Sequence, residues 1–442
     1  MNRASSSSLA SKKNYPWLVV AMLWFVALLN YLDRQMLSTM RPFMEADITE
    51  LVTATNFGRL MAIFLWIYAF MSPLSGIIAD RMNRKWLIVI SLFVWSAVTL
   101  TMGYAKDIDQ LYVLRAIMGV SEAFYVPAGL SLIADYHQGK TRSLAIGFHT
   151  SGIYLGQAFG GFGATLAAGT SWQFTFQIFG VIGMVYSLIL IVFLYEKKTY
   201  TIDTTRKRSV RQELGMMGKG LSLLFSNIAF WVILFYFSAP SLPGWATKNW
   251  LPTLFSKSLN MPMEQAGPLS TMTLALASLV GVLVGGYLSD RWVAKRLKGR
   301  VYTGAIGLGL TIPALILIGY GSGLAMIIPG ALLFGLGFGI FDVNNMPILC
   351  QFVPSRYRAT GYGFMNLAGI SAGALITSEL GKALDAGHMN VVFIVMIGAV
   401  ILAILMQLSV LRPKTIDMTD ELYQKPPYPR SKQLWSSKSE SQ

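Results

Sequence analysis

Three residue classes are scarce in this chain, and each scarcity closes off a chemistry. There is one cysteine, Cys350, so neither a disulfide framework nor a CxxC metal site can form. The three histidines, His137, His149 and His388, make no HExxH or other paired-ligand spacing, and no metal site is expected. Charged residues are only 13% of the total, about half the share of a soluble domain. A chain of 442 residues with so few charges cannot solvate its own surface. What is abundant agrees with this. Hydrophobic residues reach 54%, and the 41 glycines and 11 tryptophans suit close helix packing and the lipid–water boundary. The composition describes a polytopic membrane protein. It excludes soluble enzymes, secreted scaffolds and nucleic-acid binders.

Apolar runs of the ~20 residues needed to cross a bilayer recur about twelve times, so the expected fold is an all-α membrane protein with twelve transmembrane helices. The longest polar interruption lies mid-chain and carries Arg206, Lys207 and Arg208. It suggests a cytoplasmic tail over 1–16, a six-helix bundle over 17–195 and a central loop over 196–220. A second bundle over 221–411 and a cytoplasmic tail over 412–442 follow. With a cytoplasmic N-terminus, 28 Lys and Arg fall in loops and tails on that side and 5 on the other. This bias places both termini in the cytoplasm of a cell (inner) membrane, so the net charge of +15 reflects topology and implies no polyanionic partner. The halves echo each other. Gly76-x3-Asp80-Arg81 returns as Gly286-x3-Asp290-Arg291, and Arg142-x4-Gly147-Phe148 as Arg358-x4-Gly363-Phe364, at offsets of 210 and 216 residues. Two pseudo-symmetric bundles with a site at their interface are a transporter architecture.

At these residues the sequence resembles the major facilitator superfamily. The loop Gly76-x3-Asp80-Arg81-x-Asn83-Arg84-Lys85 is similar to that superfamily's signature between its second and third helices. It has Asn83 where glycine is usual, and asparagine also tolerates positive φ. Asn30-Tyr31-Leu32-Asp33-Arg34, Arg115-x3-Gly119-x2-Glu122-Ala-x3-Pro127 and Asn249-Trp250-Leu251-Pro252 resemble the anion:cation symporter branch. That branch moves hexuronates, aldonates, sialate and other carboxylates, often with protons. The resemblance implies substrate contacts at Tyr68 and Asn366, and carrier roles at Asp33, Arg34 and Glu122.

The residues carry a physical case of their own. A charge at bilayer mid-depth costs ~2.5–3.5 kcal/mol on insertion scales and usually faces a cavity or a counter-charge. Asp33 and Arg34 lie deep in span one. Arg115 and Glu122 lie seven residues apart in span four, nearly two helical turns, which sets them on one stripe. That stripe is expected to face the cavity, left open by Gly119. Arg34 suits a carboxylate cargo because its planar fork stays protonated, and Arg115 would be a second cation. Asp33 and Glu122 are the proton-carrying candidates: burial favours the neutral carboxyl, and a nearby cation the charged one. Protonation would release the arginines to an anion. Proton loss would return them and expel the cargo. The alternative is that both acid–base pairs are permanent struts.

In the second half, Lys248 could anchor the anion or snorkel to the interface. Asp342, Asn344 and Asn345, near Pro347, could meet sugar hydroxyls or brace a kink. Asp80, Arg81, Arg84, Asp290 and Arg291 sit at cytoplasmic helix ends and read as latches of the inner gate. His149 reads as a packing or gating residue. Most aromatics are expected at the lipid face or interface. The expected function is secondary import of a sugar acid or related carboxylate by alternating access. Protons would be the coupling ion, no other cofactor is called for, and a monomer would serve as the working unit. A neutral sugar or amino sugar carried by the same fold is the alternative. Nothing in the chain suggests an enzyme.

Overall fold

The computed structural model describes residues 14–137, 141–196, 221–354, 357–416 and 418. Twelve helical spans cross it in sequence, and no strand occurs among the described residues. Spans one to three are Tyr15–Met44, Ala54–Arg81 and Arg84–Met102. Span four is interrupted, running Ile108–Glu122 and then Tyr125–Tyr136. Span five is Arg142–Gly160, with a short extension Gly163–Gly169, and span six is Trp172–Phe193. Spans seven to nine are Ile228–Ser258, Met263–Val293 and Gly299–Tyr320. Span ten is again interrupted, Leu324–Asp342 and Asn345–Phe352. Arg358–Asp385 and Met389–Val410 complete the set. The two spans six helices apart thus break alike. The basic run at Arg206 lies outside the described residues.

Side-chain caps start the helices where turns are tight. Thr53, Asp107 and Ser171 each accept the backbone N–H three residues on, satisfying an otherwise orphaned donor. Asn83 does the same for Trp86 at 3.1 Å. It has φ −64°, so asparagine stands here as a helix cap and not as the left-handed residue the glycine substitution suggests.

Among the described residues, ten of the spans are long and apolar enough by themselves to cross a bilayer; spans five and eleven fall short. These two run along the junction between the halves: span five against span eight, and span eleven against span two. Their polar and glycine residues meet protein instead of lipid. Spans six and twelve are the converse. Phe174, Val181, Val185, Leu188 and Val192 of span six and Val391, Ile394, Leu402 and Leu405 of span twelve are exposed, which only a lipid surround makes favourable.

The halves meet through small residues at the end away from the chain termini. A side-chain carbon at Gly58 would press on the Thr377 carbonyl, at Gly161 on Thr271, and at Gly381 on Ala54. Thr271 Oγ1 donates to the Ala158 carbonyl at 2.9 Å, and Thr165 Oγ1 to that of Glu264 at 2.8 Å. The Asp385 carboxylate closes the junction. It accepts from the Ala54 N–H (2.9 Å), the Thr55 N–H (2.8 Å) and the Thr55 hydroxyl (2.7 Å), capping span two from the opposite half. One apolar core runs through this junction, joining Phe57 and Leu60 to Trp250, Leu254 and Leu380. Gly152, Gly156 and Gly160 let span five lie directly on the backbone of span one.

Candidate functional site

Between the halves is a cavity of about 520 Å³, within the ~300–1,000 Å³ range of small-molecule sites. It begins beneath the sealed end and extends toward the terminal end past Ser72, Ser131, Met346 and Gly363. Tyr31, Arg34, Tyr68, Tyr154 and Gln157 line it from the first half. Trp245, Lys248, Asp342, Tyr362 and Asn366 line it from the second.

Arg34 is the centre of the first wall. Its Nε donates to Glu122 Oε2 at 2.5 Å. Its guanidinium carbon lies 4.8 Å from the Tyr31 ring, 4.7 Å from Phe64 and 4.8 Å from Tyr68. Three aromatic faces therefore hold the cation where one acid neutralises it. Phe64 is shared, because Arg115 approaches its ring to 4.5 Å. The acids sit one layer deeper. Glu122 is fully buried, and Asp33, at 4% exposure, accepts from Thr99 Oγ1 at 3.3 Å. Glu122 Oε1, Asp33 Oδ1, Arg34 Nη2 and Arg115 Nε are buried atoms with no hydrogen-bond partner. Such unsatisfied groups are costly and concentrate here.

This layering corrects one expectation. Arg115 and Glu122 do share a helical stripe, but the stripe faces spans one and two, not the cavity; Arg115 is 3% exposed and absent from the lining. Gly119 does not open the stripe. A side chain there would strike the Phe64 carbonyl and Ile67, so the glycine admits span two. Periodicity placed the two groups on one face without saying which neighbour that face meets. Asn345 also lies behind the wall, 3% exposed, donating to Asp342 Oδ1 at 3.0 Å. Asn344 ties span ten to span eight by accepting from Ser289, and it donates to the Ile340 carbonyl of its own span, so it braces the break.

Tyr68, Lys248 and Asn366 face the cavity. The Lys248 ammonium lies 5.2 Å from the Trp245 ring and 5.4 Å from Phe338. Its carbonyl accepts from Gln35 Nε2 at 2.8 Å, a link between span one and span seven. His149 shares a 2.8 Å hydrogen bond with the Tyr125 hydroxyl, which donates to the Leu23 carbonyl at 2.7 Å. It is thereby held within the first half.

The residues at the terminal-end loops are tied within their own halves. Arg84 pairs with Asp135, and its N–H donates to Glu196 at 3.1 Å. Asp290, 81% exposed, lies 3.9 Å from Arg300, and Arg291 donates to Tyr287 at 3.1 Å. The side chains of Asp80 and Arg81 lie outside the described residues.

Several aromatics depart from the placement expected of most. Trp95, Trp172 and Trp250 are among the largest fully buried side chains, and Tyr31 and Phe64 form the arginine cage. The cage left a trace: Tyr31 stands three residues before Arg34, and Phe64 four before Tyr68, each spacing being one helical face.

Residues 23–377 match the Major Facilitator Superfamily. The chain is 27% identical to the D-galactonate transporter of Escherichia coli O6:H1 over 302 residues, covering 63% of this chain and 68% of that protein. It is 25% identical to the hexuronate transporter of Bacillus subtilis over 323 residues, covering 70% and 73%. The Drosophila melanogaster protein spinster is 25% identical, covering 70% of this chain and 51% of its own. Among solved structures, a bacterial homolog of the human lysosomal transporter Spinster, inward-facing and occupied, superposes with a TM-score of 0.70 at 19% identity. That match covers 90% of this chain and 97% of the other.

Proposed function

The chain belongs to the Major Facilitator Superfamily and is a multi-pass membrane transporter, not an enzyme, and from this we propose that it imports a sugar acid or related organic carboxylate with protons by alternating access. The observation that carries the reading is the pairing of Arg34 with a buried acid at the edge of a cavity that a second cation, Lys248, enters from the opposite half. The D-galactonate, hexuronate and galacturonate carriers among its relatives support that cargo class.

In the proposed cycle, Arg34 and Lys248 receive the anionic end of the cargo. Tyr68 and Asn366 contact its hydroxylated body, with Asn345 orienting Asp342 behind the wall. Arg34 cannot serve a cargo carboxylate fully while Glu122 holds it at 2.5 Å. A proton on Glu122 removes that competition, and a proton on Asp33 removes a second negative charge from the same layer. Arg115, under Phe64, supplies a second positive charge to that layer when the acids are deprotonated. The joined Arg34–Glu122 pair is then the cargo-free, deprotonated stage.

The positive-inside bias puts the termini in the cytoplasm of the cell membrane, so the end sealed by Asp385 faces outward and the cavity opens inward. In that stage Arg84, Asp290 and Arg291 are held within their own halves; with Asp80 and Arg81 they are proposed as the latches that join when the inner side closes. A single chain supplies both walls, which fits a working monomer. The tight Arg34–Glu122 pair also suits a second reading, in which it is a permanent strut and the cargo is a neutral sugar.

Uptake into proteoliposomes tests the choice. We expect radiolabelled galactonate to accumulate above equilibrium under an inward proton gradient, and galacturonate to compete while galactose does not. Competition by galactose alone, or mere equilibration of galactonate, would reject the anion symporter.

A further inference from the structure

The halves repeat more than their loops. Gly119-x2-Glu122-x4-Pro127 in span four returns 220 residues later as Gly339-x2-Asp342-x4-Pro347 in span ten. Arg34 in span one is followed, 214 residues on, by Lys248 in span seven. The backbone repeats with the sequence. Glu122 is the last residue of the first piece of span four and Asp342 the last of the first piece of span ten. In each span two residues interrupt the helix, and a proline stands third in the piece that resumes. Lys248 and Asp342 therefore occupy, in the second half, the positions that Arg34 and Glu122 occupy in the first.

Extending the proton-coupled reading given above, on which this inference rests, we propose that Asp342 is a further proton-carrying carboxyl of the transport cycle, with Lys248 as the cation whose charge it balances. The two couples differ in how they are set. Arg34–Glu122 is closed, with its acid fully buried. Lys248 and Asp342 both line the cavity and make no ion pair within 4 Å, while the ammonium rests over Trp245 and Phe338.

Asp342 shares the cavity with Lys248 from span seven, Tyr154 from span five, Tyr31 from span one and Tyr362 from span eleven, and it accepts from Asn345 of its own span at 3.0 Å. Of these, Lys248 alone carries a positive charge. A deprotonated Asp342 thus shares one small cavity with the incoming carboxylate and competes with it for Lys248. A proton on Asp342 removes both the repulsion and the competition. Proton and anion then favour each other's binding by the same factor, as linkage requires. The proton taken up with the cargo leaves with it when Asp342 again faces Lys248 alone. Each transported anion consequently carries one proton more than the first half can account for.

The test uses the purified full-length protein in proteoliposomes, with galactonate as the probe and the reversal potential giving protons per anion. Asp342→Asn is expected to carry one proton fewer per galactonate than the native chain and to lose an equal share of its stimulation by an inside-negative potential. Counterflow of galactonate should remain measurable, and Asp342→Glu should restore the native ratio. A native ratio in Asp342→Asn would overturn the proposal. So would loss of counterflow in Asp342→Asn that Asp342→Glu does not restore, since that outcome marks a purely structural role. Failure of the underlying reading looks different: the native chain itself would then show no proton-driven accumulation.

Discussion

Arg34 and Lys248 reach one cavity from opposite halves, but they are held in different ways. Arg34 is enclosed by Tyr31, Phe64 and Tyr68 and bonded to Glu122 at 2.5 Å. The Lys248 ammonium rests over aromatic faces and, among the described residues, bonds no carboxylate within 4 Å. A cation locked to an acid is part of the protein's own charge balance and becomes available only when the acid is neutralised. A cation resting on rings has no bonded acid to give up before it meets the cargo, although Asp342 shares its cavity. The first suits coupling and the second suits capture, so the two should respond differently to removal.

The largest difference should come from Arg34→Ala, which strands Glu122 as an uncompensated buried charge. Breaking a buried pair from one side costs about 3–5 kcal/mol, and we expect a marked fall in thermal unfolding temperature in detergent together with loss of galactonate uptake. Adding Glu122→Gln should recover most of the stability and none of the transport. Recovery of both would make the pair a strut. Next in size, Lys248→Ala should leave unfolding nearly unchanged while weakening galactonate binding ~10- to 100-fold, the loss of a hydrogen bond to a charged group. A large stability loss there, with affinity intact, would reverse the comparison. The smallest effect concerns neither cation directly. Asp385→Ala removes the cap on span two, so the sealed end should open more often by roughly 2- to 30-fold, the equilibrium worth of a helix cap. Reaction of an impermeant maleimide with Gln157→Cys in a Cys350→Ser background would register it as faster labelling from the outer side.

Much of the layout could be read from the chain because bilayers make charge expensive. Asp33, Arg34, Arg115 and Glu122 stood out as ionisable groups in otherwise apolar runs, and the structure sets both arginines against Phe64, with Glu122 bonded to Arg34 and Asp33 buried nearby in span one. Spacing alone could not say that Phe64 and Ile67 would pack over Gly119 and turn the Arg115–Glu122 stripe away from the cavity. A helical period reports which residues share a face, whereas the identity of the facing helix is a tertiary fact. The same limit explains spans five and eleven, whose modest hydropathy follows from facing protein at the junction. It also explains Tyr31, which looks like one of many interfacial aromatics until Arg34 is seen against its ring. Asn83 was misleading for a local reason: its side chain can satisfy the Trp86 N–H, which makes a left-handed turn unnecessary.

The seam at Gly58, Gly161 and Gly381 brings main chain against main chain, a short hydroxyl side chain and the edge of the buried Trp250 ring. Surfaces of that kind have almost no rotamers to rearrange when they part, and none to recover when they meet again. Opening and reclosing the sealed end should therefore be limited by a handful of hydrogen bonds and by the entry of water, so that the seam can reseat in the same register on every turnover.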